Sequence, residues 1–189
     1  MRRYDVDPAR LDWRTVKDHT NAGDRWIPEP DYQRICSLVP ILSVDLLPVL
    51  RFTRTFGLIE RDTYAGGRGL NLVGGAVLLD EPLLAAVARH VAATLGDEAG
   101  LQVDSLRLFG IYPYHRKARP GQPHDPRKHA VSLTYTGMLQ GEVRPMGEAH
   151  AFHTFDIDAP PPPEAFGFGQ GSVVYDGLAA LRASMDLRG

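Results

Sequence analysis

Cysteine is almost absent from this chain of 189 residues, in which Cys36 is the single one. One cysteine cannot form an intrachain disulfide, so a hydrophobic core has to stabilise the fold, and a reducing cytoplasm is the expected compartment. Hydrophobic residues make up 43% of the chain, which is enough for such a core at this length.

An excess of charge of either sign is also missing. Lys and Arg number 21 against 23 Asp and Glu, and the formal net charge is -2 at pH 7. The chain therefore has no basic surplus for nucleic acid or for an anionic membrane surface.

The most apolar segment, 38–50, is broken by Pro40, Asp45 and Pro48 and is too short to span a bilayer. No apolar run follows Met1, so we expect no signal peptide and no membrane partner.

The chain divides into two parts. Residues 1–37 are polar, carry Trp13 and Trp26, and read as an N-terminal extension with a short helix from Asp31 to Ser37. Residues 38–189 have the apolar patterns of a single α/β domain. Strands are predicted at Ile41–Val49, Phe56–Arg61, Ala130–Tyr135 and Ala149–Phe155, a long Pro-, Gly- and His-rich loop at Gly110–Lys128, and a final helix from Ser172.

A well-marked helix follows Glu81. Pro82 suits its start and Gly96 its end, and the apolar residues between them recur at helical spacing. Gly74-Gly75 precedes this helix, and Gly75, Glu81, Arg89 and Gly96 stand at the spacing of the Nudix box. Further along, Asp125-Pro126-Arg127-Lys128-His129-Ala130-Val131-Ser132 is similar to a loop-to-strand signature of Nudix proteins related to ADP-ribose pyrophosphatases, and Glu148-Ala149-His150 to a late acidic strand.

From Ile41 to Met185 the chain thus resembles the Nudix hydrolase superfamily, in a branch with a degenerate box. The resemblance implies an α/β/α sandwich around a mixed β-sheet, a homodimer, and a phosphorylated small-molecule ligand. In active members glutamates on the box helix bind Mg²⁺ or Mn²⁺, which neutralise a diphosphate and activate water. Here those positions carry His90, Ala93 and Thr94. A divalent metal is therefore left open, and no metal ligand is assigned.

The resemblance names several candidate site residues, each with a plainer alternative. Glu81 and Arg89 are catalytic candidates or a brace of the loop before the helix. His90 is an acid–base candidate or a solvated surface histidine. Glu148 is a general base or the partner of a nearby arginine. His150 is a candidate for substrate binding. On an extended strand it shares a face with Glu148, whereas His153 lies on the other face.

The cationic loop is the predicted ligand-binding region. Asp125, Arg127 and His129, with Arg61 at the end of the second strand, would hold phosphate, or the loop is solvated and Asp125 fixes its turn with Arg127. The sequence therefore predicts a divergent Nudix-fold protein acting on a nucleoside-diphosphate-linked or other phosphorylated small molecule. A hydrolase with a non-standard site, a non-catalytic binder and a non-hydrolytic tailoring enzyme remain alternatives.

Overall fold

The computed structural model describes residues 27–50, 53–64 and 66–186. The predicted N-terminal extension up to residue 26, with both tryptophans, lies outside these ranges. The described part is an α/β/α sandwich around a seven-stranded mixed sheet, as the sequence predicts. None of its helices is long and apolar enough to cross a membrane.

The sheet is built around one central strand, β1, which pairs with three others. It runs parallel to β6 over its whole length, antiparallel to β4 near its start and antiparallel to β2 near its end. β2 continues the sheet to β3 and β7, and β5 forms the far edge beside β6. The strands are β1 (Ile41–Leu50), β2 (Thr55–Asp62), β3 (Arg68–Asn71), β4 (Val73–Ala76), β5 (Leu101–Tyr114), β6 (Ala130–Leu139) and β7 (Ala151–Asp156).

Helices cover both faces of the sheet, because side chains alternate along each buried strand. Val44 and Leu46 of β1 pack with the apolar stripe of α2 (Leu83–Leu95). Leu47 points to the other face, where α3 (Gly171–Asp186) contributes Val174 and Leu178. These two layers bury the core and hold the start of β1, the end of β4 and the start of β6 together at one end of the sheet.

A third helix, α1 (Glu29–Leu38), confirms the short helix predicted before the first strand. Its Tyr32, Ile35 and Cys36 pack against Tyr114 and Ala130. The helix therefore covers the end of the sheet at which β1 and β6 begin.

Two sequence predictions differ from the structure. The late strand predicted from Ala149 begins at Ala151, so Glu148 and His150 precede it and do not share a strand face. The loop predicted from Gly110 starts only after Tyr114, because β5 continues to pair with β6 as far as Tyr114 opposite Ala130. A register shift between Leu108 and Gly110 interrupts the alternation that marks a strand, and Pro113 adds a misleading turn signal.

Candidate functional site

The double glycine of β4 separates two polar side chains. A Cβ on Gly74 would lie 2.4 Å from Asp45 Oδ1, and a Cβ on Gly75 would lie 2.5 Å from His90 Cε1. Both distances are shorter than real contacts, so only glycine leaves room for these neighbours at this point of the strand. Asp45 and His90 therefore approach the same two residues, one against each glycine.

His90 is held beneath Gly75 rather than solvated. Its Nε2 lies 3.0 Å from Ala76 O. Because a carbonyl oxygen only accepts, Nε2–H donates there, which leaves Nδ1 unprotonated when the ring is neutral. Burial, and then the positive charge of Arg89, lower the pKa of His90 from 6.5 to about 4. The ring is therefore neutral at pH 7.

Glu81 and Arg89 form a bidentate ion pair across the start of α2. Arg89 Nε donates to Glu81 Oε1 at 2.6 Å and Arg89 Nη2 to Glu81 Oε2 at 2.9 Å. Leu78 N–H also donates to Glu81, and Arg89 Nη2 reaches Ala76 O. Burial alone would raise the pKa of Glu81, but the hydrogen bonds from Arg89 and Leu78 outweigh it and lower the pKa. The pair ties β4, the following loop and α2 together.

The donor set on α2 does not fit a Mg²⁺ or Mn²⁺ ion. Such ions prefer several carboxylate oxygens. The Glu81 carboxylate is committed to Arg89 and Leu78, Ala93 has no side-chain donor, and Thr94 is buried in the core. Within residues 27–50, 53–64 and 66–186, no group of three or more His, Cys, Asp or Glu side chains could hold a metal ion.

Asp45 lies on the other side of the double glycine, in a buried hydrogen-bond network. Ser132 Oγ donates to its Oδ2 at 2.6 Å and the Tyr114 hydroxyl donates to the same oxygen at 3.1 Å. Tyr114 accepts from Gln170 Nε2, whose Oε1 accepts the Leu72 N–H. Burial raises the pKa of Asp45, and the bonds from Ser132 and Tyr114 oppose that rise.

This network borders a cavity of about 70 Å³ whose opening carries positive charge. Arg61, Arg127 and Lys128 line it together with Asp45 and Asp125. Asp125 is buried and accepts two bonds from the Arg127 guanidinium, at 3.0 and 2.8 Å, and one from the Arg127 N–H. Burial alone would lower the pKa of Arg127, but Asp125 outweighs it and raises the pKa. Burial lowers the pKa of Lys128, whose Nζ donates to the Tyr32 hydroxyl.

Two aromatic rings flank these cations. The Arg127 guanidinium carbon lies 4.4 Å from the centre of the Tyr64 ring, and that of Arg61 lies 5.3 Å from the centre of the Phe168 ring. Tyr64 and Phe168 meet edge to face at 5.5 Å. Arginines held on aromatic faces keep their planes oriented, which suits binding of a flat or anionic group.

A second cavity of about 300 Å³ adjoins the first and shares Arg61 with it. Here Arg61 Nη1 donates to Glu148 Oε1 at 2.7 Å. Burial raises the pKa of Glu148 above its usual value, and the charge of Arg61 opposes that rise. His150 lines the same cavity, with its Nε2 3.0 Å from Asp62 Oδ1.

The structure brings together most of the predicted ligand-binding residues. Arg61, Asp125 and Arg127 border the first cavity, and Glu148 and His150 border the second. His129 borders neither cavity and stacks instead on His115, with ring centres 5.3 Å apart. Glu81, Arg89 and His90 lie on the α2 side of β4, and their part in chemistry stays a prediction.

Sequence reasoning missed Asp45, Lys128 and Phe168. Asp45 counted only as an interruption of an apolar segment. A lone carboxylate in the strand Ile41–Leu50 is itself a signal, because a buried charge needs partners. Lys128 is one of several basic residues of the predicted loop, so it was not singled out. Nothing in the sequence marks the contact between Phe168 and Arg61.

Comparisons with known proteins agree with this fold. Residues 22–181 match the model of a family described as "Domain of unknown function (DUF4916)". No curated protein matches the chain.

The solved structures that are similar to the chain include the following three. One from Jonesia denitrificans, a possible asymmetric diadenosine tetraphosphate hydrolase, has 27% identity and a TM-score of 0.69 over 75% of this chain and 94% of that one. A MutT NUDIX hydrolase from Burkholderia pseudomallei has 26% identity and a TM-score of 0.50, covering 66% and 89%. The NUDIX domain of Shewanella oneidensis NrtR, complexed with ADP ribose, has 15% identity and a TM-score of 0.53, covering 86% and 98%.

Proposed function

The chain belongs to the DUF4916 family and has the Nudix fold, and from this premise we propose that it binds a phosphorylated, nucleotide-like small molecule across its two adjoining cavities. The observation that carries the proposal is the position of Arg61. This residue borders both cavities, lines the first together with Arg127 and Lys128, and pairs with Glu148 in the second.

The charge at the first cavity favours an anionic group. Guanidinium groups bind phosphate through paired hydrogen bonds, and the three cations here outnumber the two carboxylates that border the same space. The exposed ring of Tyr64 offers a surface on which a base can stack. Of the similar structures, one is complexed with ADP ribose and another is described as a possible diadenosine tetraphosphate hydrolase. Both ligands join a base to a chain of phosphates.

Glu148 is the residue best placed to move a proton in this site. Burial raises its pKa, which brings a carboxyl group closer to the range in which it exchanges protons at neutral pH. Arg61 orients the carboxylate, and His150 lies beside the same cavity. We assign Glu148 the acid–base role in hydrolysis of a phosphoanhydride bond of the bound ligand, in which it takes up the proton of the attacking water, and we place the ligand's phosphate against Arg61 and Arg127.

We assign Glu81 and Arg89 a bracing role and His90 a packing role. Their polar atoms bond to one another and to the backbone of β4 and the following loop. A hydrolase built on this chain therefore draws its charge compensation from Arg61, Arg127 and Lys128. The same contacts favour the alternative function, a non-catalytic binder of the same ligand class. A homodimer stays a prediction.

Turnover followed by mass spectrometry tests the proposal. The purified protein is incubated with ADP-ribose, dinucleoside polyphosphates, nucleotide sugars and nucleoside triphosphates, each with Mg²⁺, Mn²⁺ or Zn²⁺ and each with EDTA. We expect one class to be cleaved, with the product lost in Glu148→Gln. The matched control is Glu142→Gln, an exposed carboxylate that also pairs with an arginine.

Binding of the same compounds separates the two functions. Binding without cleavage, weakened in Arg61→Gln, establishes the non-catalytic alternative. Cleavage that survives Glu148→Gln removes the acid–base assignment. If neither the turnover assay nor titration calorimetry shows an interaction with any of these compounds, the proposed ligand class is wrong.

A further inference from the structure

The first cavity presents two hydrogen-bond acceptors that the fold itself does not satisfy. Asp45 Oδ2 takes the bonds from both Ser132 and Tyr114, and no hydrogen bond within the described ranges reaches Oδ1. Asn71 borders the same cavity, is 1% exposed, and has no partner for its Oδ1 among the described residues. Its Nδ2 donates to Gly69 O at 2.7 Å, which fixes the orientation of the amide.

Buried acceptors without a partner, such as Asn71 Oδ1, are costly, and native proteins keep few of them. Asp45 could have been satisfied at low cost by one more hydroxyl, as Ser132 does for its other oxygen. Both acceptors instead border one space of about 70 Å³, which is large enough for a small polar group in place of a few waters. The pair is therefore suited to donors carried by a ligand.

The donors that fit are neutral. The charges of Lys128 and Arg61 both act on Asp45, and both residues line the cavity with Arg127. A ligand ammonium group would share the cavity with these three cations and be repelled by them. A hydroxyl group donates to a carboxylate or amide oxygen without that repulsion.

We propose that Asp45 and Asn71 form a hydroxyl-binding subsite that selects a sugar-like polyol attached to the phosphate held by Arg61 and Arg127. This proposal rests on the proposed function, because it names the part of the ligand adjacent to the phosphate. Asp45 is a specificity-determining residue in this scheme. The Tyr114–Gln170 chain positions it by occupying its other oxygen.

The test compares three small probes by titration calorimetry: ribose 5-phosphate, inorganic phosphate and O-phosphoethanolamine. The unchanged protein is expected to bind ribose 5-phosphate about tenfold more tightly than inorganic phosphate, since a hydrogen bond to a charged acceptor contributes at least that much. O-Phosphoethanolamine is expected to bind no better than inorganic phosphate. A preference for the amine, or no preference for the sugar, overturns the subsite.

Asp45→Asn replaces the acceptor that faces the cavity, Oδ1, by a donor NH₂ group with almost no change in side-chain size. Ser132 and Tyr114 both donate to the inner position, so the new amide oxygen has to stay there and its NH₂ takes the place of Oδ1. The preference for ribose 5-phosphate should then fall to threefold or less, roughly, whereas inorganic phosphate binds equally well or better. If Asp45→Asn weakens all probes alike, Asp45 only supports the fold and the subsite is wrong.

Two controls separate this inference from the proposed function. Ser132→Ala removes a support of Asp45 but leaves its outer oxygen, so the sugar preference should persist even if the protein is less stable. Inorganic phosphate reports on the cations alone. Loss of its binding in Arg127→Gln supports the anion site whatever Asp45 does, and failure of every probe to bind the unchanged protein overturns both proposals.

Discussion

The two sides of the double glycine differ in how their polar atoms are satisfied. On the α2 side, Glu81 and Arg89 bond to each other and to the backbone, and His90 donates to Ala76. On the α3 side, Asp45 Oδ1 receives no hydrogen bond within the described ranges, and Asn71 Oδ1 has no partner there. The first arrangement is closed within the protein, whereas the second leaves acceptors facing a cavity lined with cations.

This difference separates structural from ligand-binding polarity. A polar network whose donors and acceptors are paired within the protein stabilises the fold, and its removal lowers the free energy of unfolding. A network with open acceptors and concentrated positive charge gains only when a ligand arrives. The residues that match the Nudix spacing are therefore expected to affect stability, and the residues around Asp45 to affect binding.

The largest effect is expected from Arg89→Ala. This change leaves the Glu81 carboxylate, whose side chain is 6% exposed, without its ionic partner. Breaking a buried ion pair from one side costs about 3–5 kcal/mol. Urea denaturation at pH 8 should show this loss in the free energy of unfolding, and a smaller loss at pH 5, where Glu81 can take up a proton instead.

The matched control is Arg144→Ala. Arg144 also makes two bonds to a glutamate, Glu142, but its side chain is 63% exposed, and exposed pairs contribute only about 0–1 kcal/mol. Equal losses in the two variants would mean that the Glu81–Arg89 pair does not brace the fold, and the contrast between the two sides of β4 would disappear.

The next effect is a dependence of stability on pH that comes from His90. Its pKa is about 4 in the folded protein and 6.5 in the unfolded chain, so the unfolded state binds the proton more readily. The contribution is fully present above pH 6.5 and is lost as the pH falls from about 6.5 to about 4, by at most roughly 3 kcal/mol.

The free energy of unfolding of the unchanged protein and of His90→Gln, measured from pH 8 to pH 4, checks this. We expect the unchanged protein to lose more stability than the variant across that window, because only it has an imidazole at position 90 to protonate. A difference that is constant with pH would show that His90 is solvated, as the plainer sequence interpretation had it.

Gly75→Ala tests the packing of His90 directly. The added Cβ would lie 2.5 Å from His90 Cε1, so the ring has to move or the strand has to shift. Overpacking of this kind costs about 1–3 kcal/mol. In a His90→Ala background the space is free, and the same change should cost about 2 kcal/mol less in a double-mutant cycle.

An additive cycle would mean that Gly75 is required for some reason other than His90, such as its backbone conformation. Gly74→Ala offers the comparison on the other side. It meets Val44 O and Asp45, which His90→Ala does not relieve.

The fold was predictable because its signals are local. The Gly75, Glu81, Arg89 and Gly96 spacing and the apolar stripe of α2 each lie in one short segment, and the predicted helix with its apolar stripe is confirmed. Strand β5 was not predicted, and its last residues were assigned to a loop. Its irregular pairing between Leu108 and Gly110 leaves no clean alternation, and only the partner strand reveals it.

The site was predictable only in part, because cavities join residues that are far apart in sequence. Arg61 and Arg127 were identified from the family resemblance, and they do border one cavity. Asp45 could not be assigned a role, since its meaning depends on Ser132 and Tyr114 from two other strands. Phe168 reaches the site through a segment between the last strand and α3, where sequence periodicity carries no information.

The smallest expected effect is on ligand affinity, from Arg127→Gln. This change removes a guanidinium that lines the cavity and leaves Asp125 to be satisfied by its remaining bond from the residue 127 N–H. Binding of ADP-ribose or inorganic phosphate should weaken about tenfold, and thermal stability should fall as well, because the Asp125 side chain is 6% exposed and loses its ionic partner. Arg116→Gln, an exposed arginine of the same loop that does not border the cavity, should leave affinity unchanged. If both variants weaken binding equally, the attraction is a general effect of a cationic loop. The ligand would then not be assigned to the α3 side of the double glycine in preference to the α2 side.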